Sequence, residues 1–165
     1  MSGLQLPGEL ATLLRILGIE WPQADETKLF ELGQVFTEFS NTLKQIGDSA
    51  DQAASGVWSQ NQGQDVQAFQ NSWSHQDGPA KVLGDSSQAL TLMGTGMSIF
   101  GAIILALKIQ KIVQLTILAI QIAQAIAMAV PTFGASLAEI PIFQQITQRI
   151  INELINQVLA KLASA

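Results

Sequence analysis

Few side chains in this 165-residue sequence are of types that perform covalent or acid–base chemistry, and their spacing argues against catalysis. There is no cysteine, no tyrosine and one histidine, His75. Lacking a second imidazole or a thiolate, His75 cannot build a His-based metal site, and no Ser-His-acid set with supporting context occurs. It reads as an exposed polar residue at a helix end. Gly94-Thr95-Gly96 with Gly101 superficially resembles a phosphate loop. No strand precedes it and no Lys-Ser/Thr follows, so close helix packing explains these glycines better. A non-enzymatic chain with no metal or cofactor is the expectation.

The elements that must carry any other chemistry are defined by charge and periodicity. Residues 1–85 hold 11 acids and 4 bases, a net −7, whereas residues 86–165 hold 2 acids and 4 bases, a net +2. This asymmetry divides the chain into an acidic part, 1–85, and an apolar part, 86–165, expected to pack as one unit. Scattered lysines give no basic face for a phosphate backbone, which excludes nucleic acid as a partner.

Everything legible is helical, so the fold class is all-α: a long antiparallel hairpin continuing into a long apolar helix and a C-terminal amphipathic helix. Leu10, Leu13, Leu14 and Leu17 mark a short helix after Pro7-Gly8, closed by Gly18 and followed by an elbow at Ile19, Trp21 and Pro22. From Asp25, a candidate N-cap, a seam of Leu29, Leu32, Phe36, Phe39, Leu43, Ile46, Ala50, Ala53 and Val57 alternates steps of three and four over about four heptads. Intervening positions such as Glu31, Glu38, Lys44 and Asp48 are polar, which accounts for most acids as a solvent face. Polar residues Trp58 to Gly63 interrupt the seam, Val66, Phe69 and Trp73 resume it, and Asp77-Gly78-Pro79 breaks it again. Ala80, Leu83, Ser87, Leu90, Gly94 and Met97 then keep the register with smaller residues.

No charge occurs from Ser86 to Leu107 or from Ile112 to Ala138. Each run is long enough to cross a hydrocarbon core of about 30 Å. Gln110, Gln114, Gln121 and Gln124 nevertheless form one polar stripe, a possible assembly surface or lumen lining, because amides in lipid need partners. Gly94, Ser98 and Ala102, at four-residue steps, form a small-residue set suited to close helix packing. Pro131 and Gly134 end this helix. Pro141 opens the last one, whose apolar face is read as Phe143, Ile146, Ile150, Leu154, Val158 and Leu162.

The segment Val57-Trp58-Ser-Gln-Asn-Gln-Gly63, followed by Phe69 and Trp73, resembles the helix-turn-helix signature of the WXG100 family, small secreted helical hairpins of actinobacteria and firmicutes. Four residues, not one, separate Trp58 from Gly63, so the turn is enlarged. A broader resemblance runs through Gly3-Leu4-Gln5-Leu6-Pro7-Gly8-Glu9-Leu10, Trp21-Pro22, Leu29-Phe30-Glu31-Leu32-Gly33, Ile112 to Leu115, Thr132-Phe-Gly134 and Ile140-Pro-Ile-Phe143. These look like the WXG100-like N-terminal domain of actinobacterial polymorphic toxins, a group that includes a mycobacterial channel-forming toxin.

That resemblance implies association with type VII secretion, a hairpin turn motif at Trp58, Gly63, Phe69 and Trp73, and partners that are self or another WXG100-type chain, the secretion machinery and membrane lipid. It also implies a toxic domain beyond this one, which the sequence through Ala165 does not contain. The family's export signal, Tyr-x-x-x-Asp/Glu, has a counterpart in Trp73 and Asp77, with tryptophan for tyrosine. Met1 to Glu9 lack a basic n-region and an apolar h-region, so secretion without a signal peptide, or envelope and membrane association, is expected. The functions left open are an export and assembly module, a membrane pore, and a soluble helical homo-oligomer.

Overall fold

The computed structural model describes residues 3–164, the side chain of Leu162 apart, so that position of the last helix's face lies outside the described residues. The chain is all-α, and the described residues form five helices: α1 (Gly8–Ile16), α2 (Glu26–Gln60), α3 (Gln64–Trp73), α4 (Pro79–Ala127) and α5 (Ile140–Ala163), the last preceded by a 3-10 turn at Ala135–Glu139. No strand occurs among the described residues. Asp25 caps α2 by accepting the Lys28 N–H at 3.2 Å. Beyond α1, the N–H groups of Gly18 and Ile19 donate back to the carbonyls of Arg15 and Leu14, a paired closure that satisfies two orphan carbonyls.

Contacts gather the chain into two compact units. One is Leu29–Ile99; the other takes everything up to Lys28 and everything from Phe100. The division of charge at 85/86 is thus a boundary of composition, and the boundaries of contact fall elsewhere.

Within Leu29–Ile99 the chain forms an antiparallel hairpin whose outgoing arm is α2 and whose return arm is α3 followed by the first part of α4. The register follows from three points of contact. A Cβ on Gly33 would lie 2.7 Å from the Gly94 carbonyl oxygen, and one on Gly94 would lie 2.7 Å from that of Gly33. The Ser40 hydroxyl donates to the Ser87 carbonyl at 2.6 Å and pairs with the Thr91 hydroxyl at 2.8 Å. A Cβ on Gly47 would lie 3.6 Å from that of Leu83. Backbones this close are possible only where small residues meet, and Gly33, Ser40, Gly47 and Ala54 recur every seven residues along α2.

The packed line of α2 is therefore Leu29, Gly33, Phe36, Ser40, Leu43, Gly47, Ala50 and Ala54, not the seam of large residues throughout. Leu32, Phe39 and Ile46, three of the nine residues of the predicted seam, are 45%, 54% and 54% exposed. Helix α2 also runs on through Gln60, because Asn61 bonds back to the Val57 carbonyl through both its N–H and its side-chain amide. The connector shortens to Asn61–Gly63.

The second unit has a core of Leu14 from α1 and Leu17 just beyond it, Leu115 and Leu118 from α4 and Ile151 from α5, with Leu6, Leu10, Leu13, Ile19, Trp21, Ile122, Phe143 and Ile155 around it. Burial of five such side chains gives this unit its main driving force, at about 1.5–3 kcal/mol each. On α5 the centre of the packed face is Ile151, fully buried, whereas Ile146 and Ile150 are 51% and 39% exposed. The predicted face is rotated by one residue, since Thr147 is also buried and lies on the same side as Ile151.

Candidate interaction sites

The turn motif comes together at the tip of the hairpin. Trp58 near the end of α2 stacks obliquely on Phe69 at 5.8 Å between ring centres, and Phe69 on Trp73 at 6.1 Å. Offset and tilted rings of this kind gain from quadrupole complementarity as well as area. The Trp73 indole N–H donates to Asp51 at 2.6 Å, tying the last residue of α3 to α2. Gly63, with φ 144, starts α3 from a backbone conformation that suits glycine.

Trp73 and Asp77 do not share a helix face, because α3 ends at Trp73 and Asp77 follows in the turn. The Asp77 side chain is 94% exposed, while Trp73 is half-buried in the aromatic row. Gly78 closes this turn under the end of α3: a Cβ there would lie 2.4 Å from the Trp73 carbonyl oxygen and 2.6 Å from that of Ser72. His75 is exposed beside Asp77, at 3.9 Å.

Of the small-residue set, Gly94 and Ser98 stand at the close approach to Gly33, whereas Ala102 is exposed. On α2 the close approach is made by Gly33, Ser40 and Gly47, which a seam of large side chains does not include; their seven-residue recurrence is the signal that finds them. The glutamine stripe runs beside α5. Gln110 lines a cleft with Leu154, Gln157 and Lys161, and Gln121 and Gln124 line another with Ser136, Glu139 and Phe143. Gln114 is half-buried between them in sequence.

The hairpin's two long sides differ in chemistry. With Gly33 and Ser40 facing α4, Leu32, Val35, Phe39 and Ile46 fall on one flank of α2, and Leu90, Met93 and Met97 fall on the same flank of the return arm. Val35 and Met93 are 57% and 48% exposed. Gln34, Asn41, Lys44, Asp48, Lys81 and Gln88 occupy the opposite flank. The apolar flank is thus left open to its surroundings.

In the other unit the lysines that separate the two uncharged runs are buried and engaged. Lys108 donates to Glu26 at 2.7 Å and to the Ala24 carbonyl at 2.8 Å, and Lys111 donates to the Glu20 carbonyl at 2.7 Å. The Lys108 and Glu26 side chains are 3% and 4% exposed. Trp21 lies 5.9 Å from the Lys108 ammonium, close enough for a cation–π contact. Burial pushes the Glu26 carboxyl up, but hydrogen bonds from Lys108 and from the Leu4 N–H outweigh it, leaving the group below its ordinary value. The Lys28 N–H similarly lowers the Asp25 carboxyl. Among the described residues no three His, Asp or Glu side chains cluster as a metal site would require.

A close-packed hairpin with an aromatic row at its tip and an open apolar flank places the chain among all-α helical-hairpin proteins. The family model described as WXG100 like domain matches residues 6–150, so the chain belongs to the WXG100-like family, whose helical proteins are associated with type VII secretion. Neither the curated proteins nor the solved structures yield a match.

Proposed function

We propose that this domain is a non-enzymatic export and assembly module, the WXG100-like N-terminal domain of an actinobacterial polymorphic toxin, carried out of the cell in folded form by a type VII system and associating with its own kind. The observation that supports assembly is the uncharged flank of Leu32, Phe39, Ile46 and Met93, exposed along the hairpin while the charged side chains of both arms lie elsewhere. Two copies apposed on that flank bury large side chains without bringing their acids together. Trp73 and Asp77 are the proposed export signal, and Gln110, Gln114, Gln121 and Gln124 a surface for assembly.

Sedimentation of the wild-type domain and of a Phe39→Lys/Ile46→Lys variant tests the association. A wild-type dimer or higher oligomer that becomes monomeric and stays helical is expected; a wild type monomeric at about 100 µM refutes the reading. Release from a host with and without its type VII ATPase tests export, with equal release the refuting result.

A second reading, a membrane pore, draws on α4, which is long and apolar enough to cross a bilayer and whose most apolar stretch is largely exposed. Dye release from liposomes is its test.

A further inference from the structure

The connection between α4 and α5 exposes its largest apolar side chains. Phe133 is 100% exposed, Val130 85% and Met128 51%. An accidental loop of this composition is expected to collapse its phenylalanine onto the nearest apolar surface. Here the backbone holds it away: Phe133 adopts φ 53, a left-handed conformation unfavourable for a side chain with a Cβ, and Gly134 follows at φ 84.

The loop is built from beneath. The Ser136 hydroxyl, in a buried residue, donates to the Ala125 carbonyl at 2.7 Å, and the Thr132 hydroxyl donates to the Met128 carbonyl at 2.7 Å. Backbone N–H groups of Met128, Ala129, Thr132, Phe133, Gly134, Ala135 and Leu137 all bond to carbonyls of the same stretch, and that of Ser136 bonds to the Thr132 hydroxyl. Pro131 has no N–H to satisfy. Only the Val130 N–H lacks such a partner among these residues.

A tip that faces a protein partner has no need to satisfy its own N–H groups, since the partner's groups or bridging water do so. Hydrocarbon supplies neither, and so favours a tip whose N–H donors are met from within. The charge pattern agrees: no charged residue lies between Ile112 and Ala138, and the first base beyond is Arg149. Gln124 and Glu139, both exposed, stand at the base of the tip. Gln124 stands three residues before the end of α4, about 4.5 Å of helix axis at 1.5 Å per residue, and the turn from Met128 to Gly134 extends beyond it. That matches the depth of about 5–10 Å that interfacial segments reach.

We propose that this tip is an apolar wedge that inserts into the surface of a neutral lipid bilayer, to the depth allowed by Gln124 and Glu139. With no basic residue near, its binding is driven by apolar transfer and does not depend on anionic lipid. This goes beyond the assembly reading and does not require α4 to span the bilayer.

Because the chain has no cysteine, Phe133→Cys and Ala160→Cys each accept one environment-sensitive dye, the second near the far end of α5. With phosphatidylcholine vesicles the dye at 133 is expected to shift to the blue and brighten, and the dye at 160 to stay unchanged, at low salt and at 0.5 M salt alike. Unlabelled Phe133→Ser/Val130→Ser should co-float with the same vesicles at least roughly tenfold more weakly, with unchanged circular dichroism. Absence of binding, binding only to vesicles containing anionic lipid, or equal responses at 133 and 160 overturns the proposal. So does a Ser variant that loses self-association in the absence of vesicles, which makes the tip a protein interface. Vesicles that bind the tip yet retain an entrapped dye support the wedge while refuting the pore, so the two readings fail separately.

Discussion

Replacing Lys108 by methionine removes one partner of a buried ion pair while preserving the length of the side chain. Glu26 is then left 4% exposed with the Leu4 N–H as its remaining strong partner, and the Ala24 carbonyl loses its donor. Stranding a buried charge in this way costs about 3–5 kcal/mol, a large fraction of the 5–15 kcal/mol that holds a typical domain together. The pH dependence must also change sign. In the wild type the Glu26 pKa is depressed, so the stability it contributes is present above the unfolded value of about 4.3 and lost as pH falls through the folded value. In Lys108→Met the burial that opposes ionisation persists and its main counterweight is gone, which raises the carboxyl pKa. Stability is then greatest below about 4.3 and declines as pH rises. Trp21 lies over Lys108 and is one of three tryptophans; a Trp58→Phe/Trp73→Phe background makes its fluorescence report this unit alone. Urea denaturation from about pH 4 to 6 should give slopes of opposite sign for the two proteins, and Glu26→Met/Lys108→Met should be more stable than the single variant at pH 7. A single-variant cost under about 1 kcal/mol, or slopes of the same sign, refutes the reasoning.

Three further outcomes follow from close approaches and from the aromatic row. Gly33→Leu must push the Gly94 backbone away and is expected to lower stability by at least the roughly 1–3 kcal/mol of an overpacked core, whereas Gly96→Ala, with nothing within 4 Å of the added methyl, should be neutral or slightly stabilising in thermal unfolding. Gly78→Ala meets three carbonyl oxygens within 3 Å and should loosen the α3–α4 joint, read as faster amide exchange around Trp73. Trp73→Phe keeps an aromatic ring beside Phe69 but loses the bond to Asp51, a change of about 0.5–1.5 kcal/mol; under the export reading its secretion falls together with that of Asp77→Asn while both stay folded.

The helices and their order are legible because periodicity, Pro79, Pro141 and Gly18 report local preferences. Register is less so. Large residues at steps of three and four suggest where a seam lies, but α2 approaches α4 along Gly33, Ser40 and Gly47, since only there can two backbones come within hydrogen-bonding distance of each other's side chains. What reads as one seam is two surfaces, Leu29, Phe36 and Leu43 turned toward the return arm and Leu32, Phe39 and Ile46 left open. The same limitation explains α5, where Ile150 and Ile151 are indistinguishable by type and only the position of Leu115 and Leu118 selects between them.

Nonlocal pairing was wholly hidden. Lys108 and Lys111 look like a polar interruption between two apolar runs, and nothing near them in sequence says that Glu26 and the carbonyls of Ala24 and Glu20, more than 80 residues away, receive them. Once paired, they alter the meaning of the apolar half. A 49-residue helix with two free lysines near its middle would suit neither lipid nor a protein core, but a helix whose lysines are bonded to the N-terminal segment presents lipid or partner with side chains that are almost all uncharged. The N-terminal segment is therefore a chemical complement to α4 as well as a source of core leucines. Releasing it would expose both ammonium groups at once, which opposes any arrangement, soluble or membrane-bound, in which the middle of α4 is dry while residues 20–26 are elsewhere.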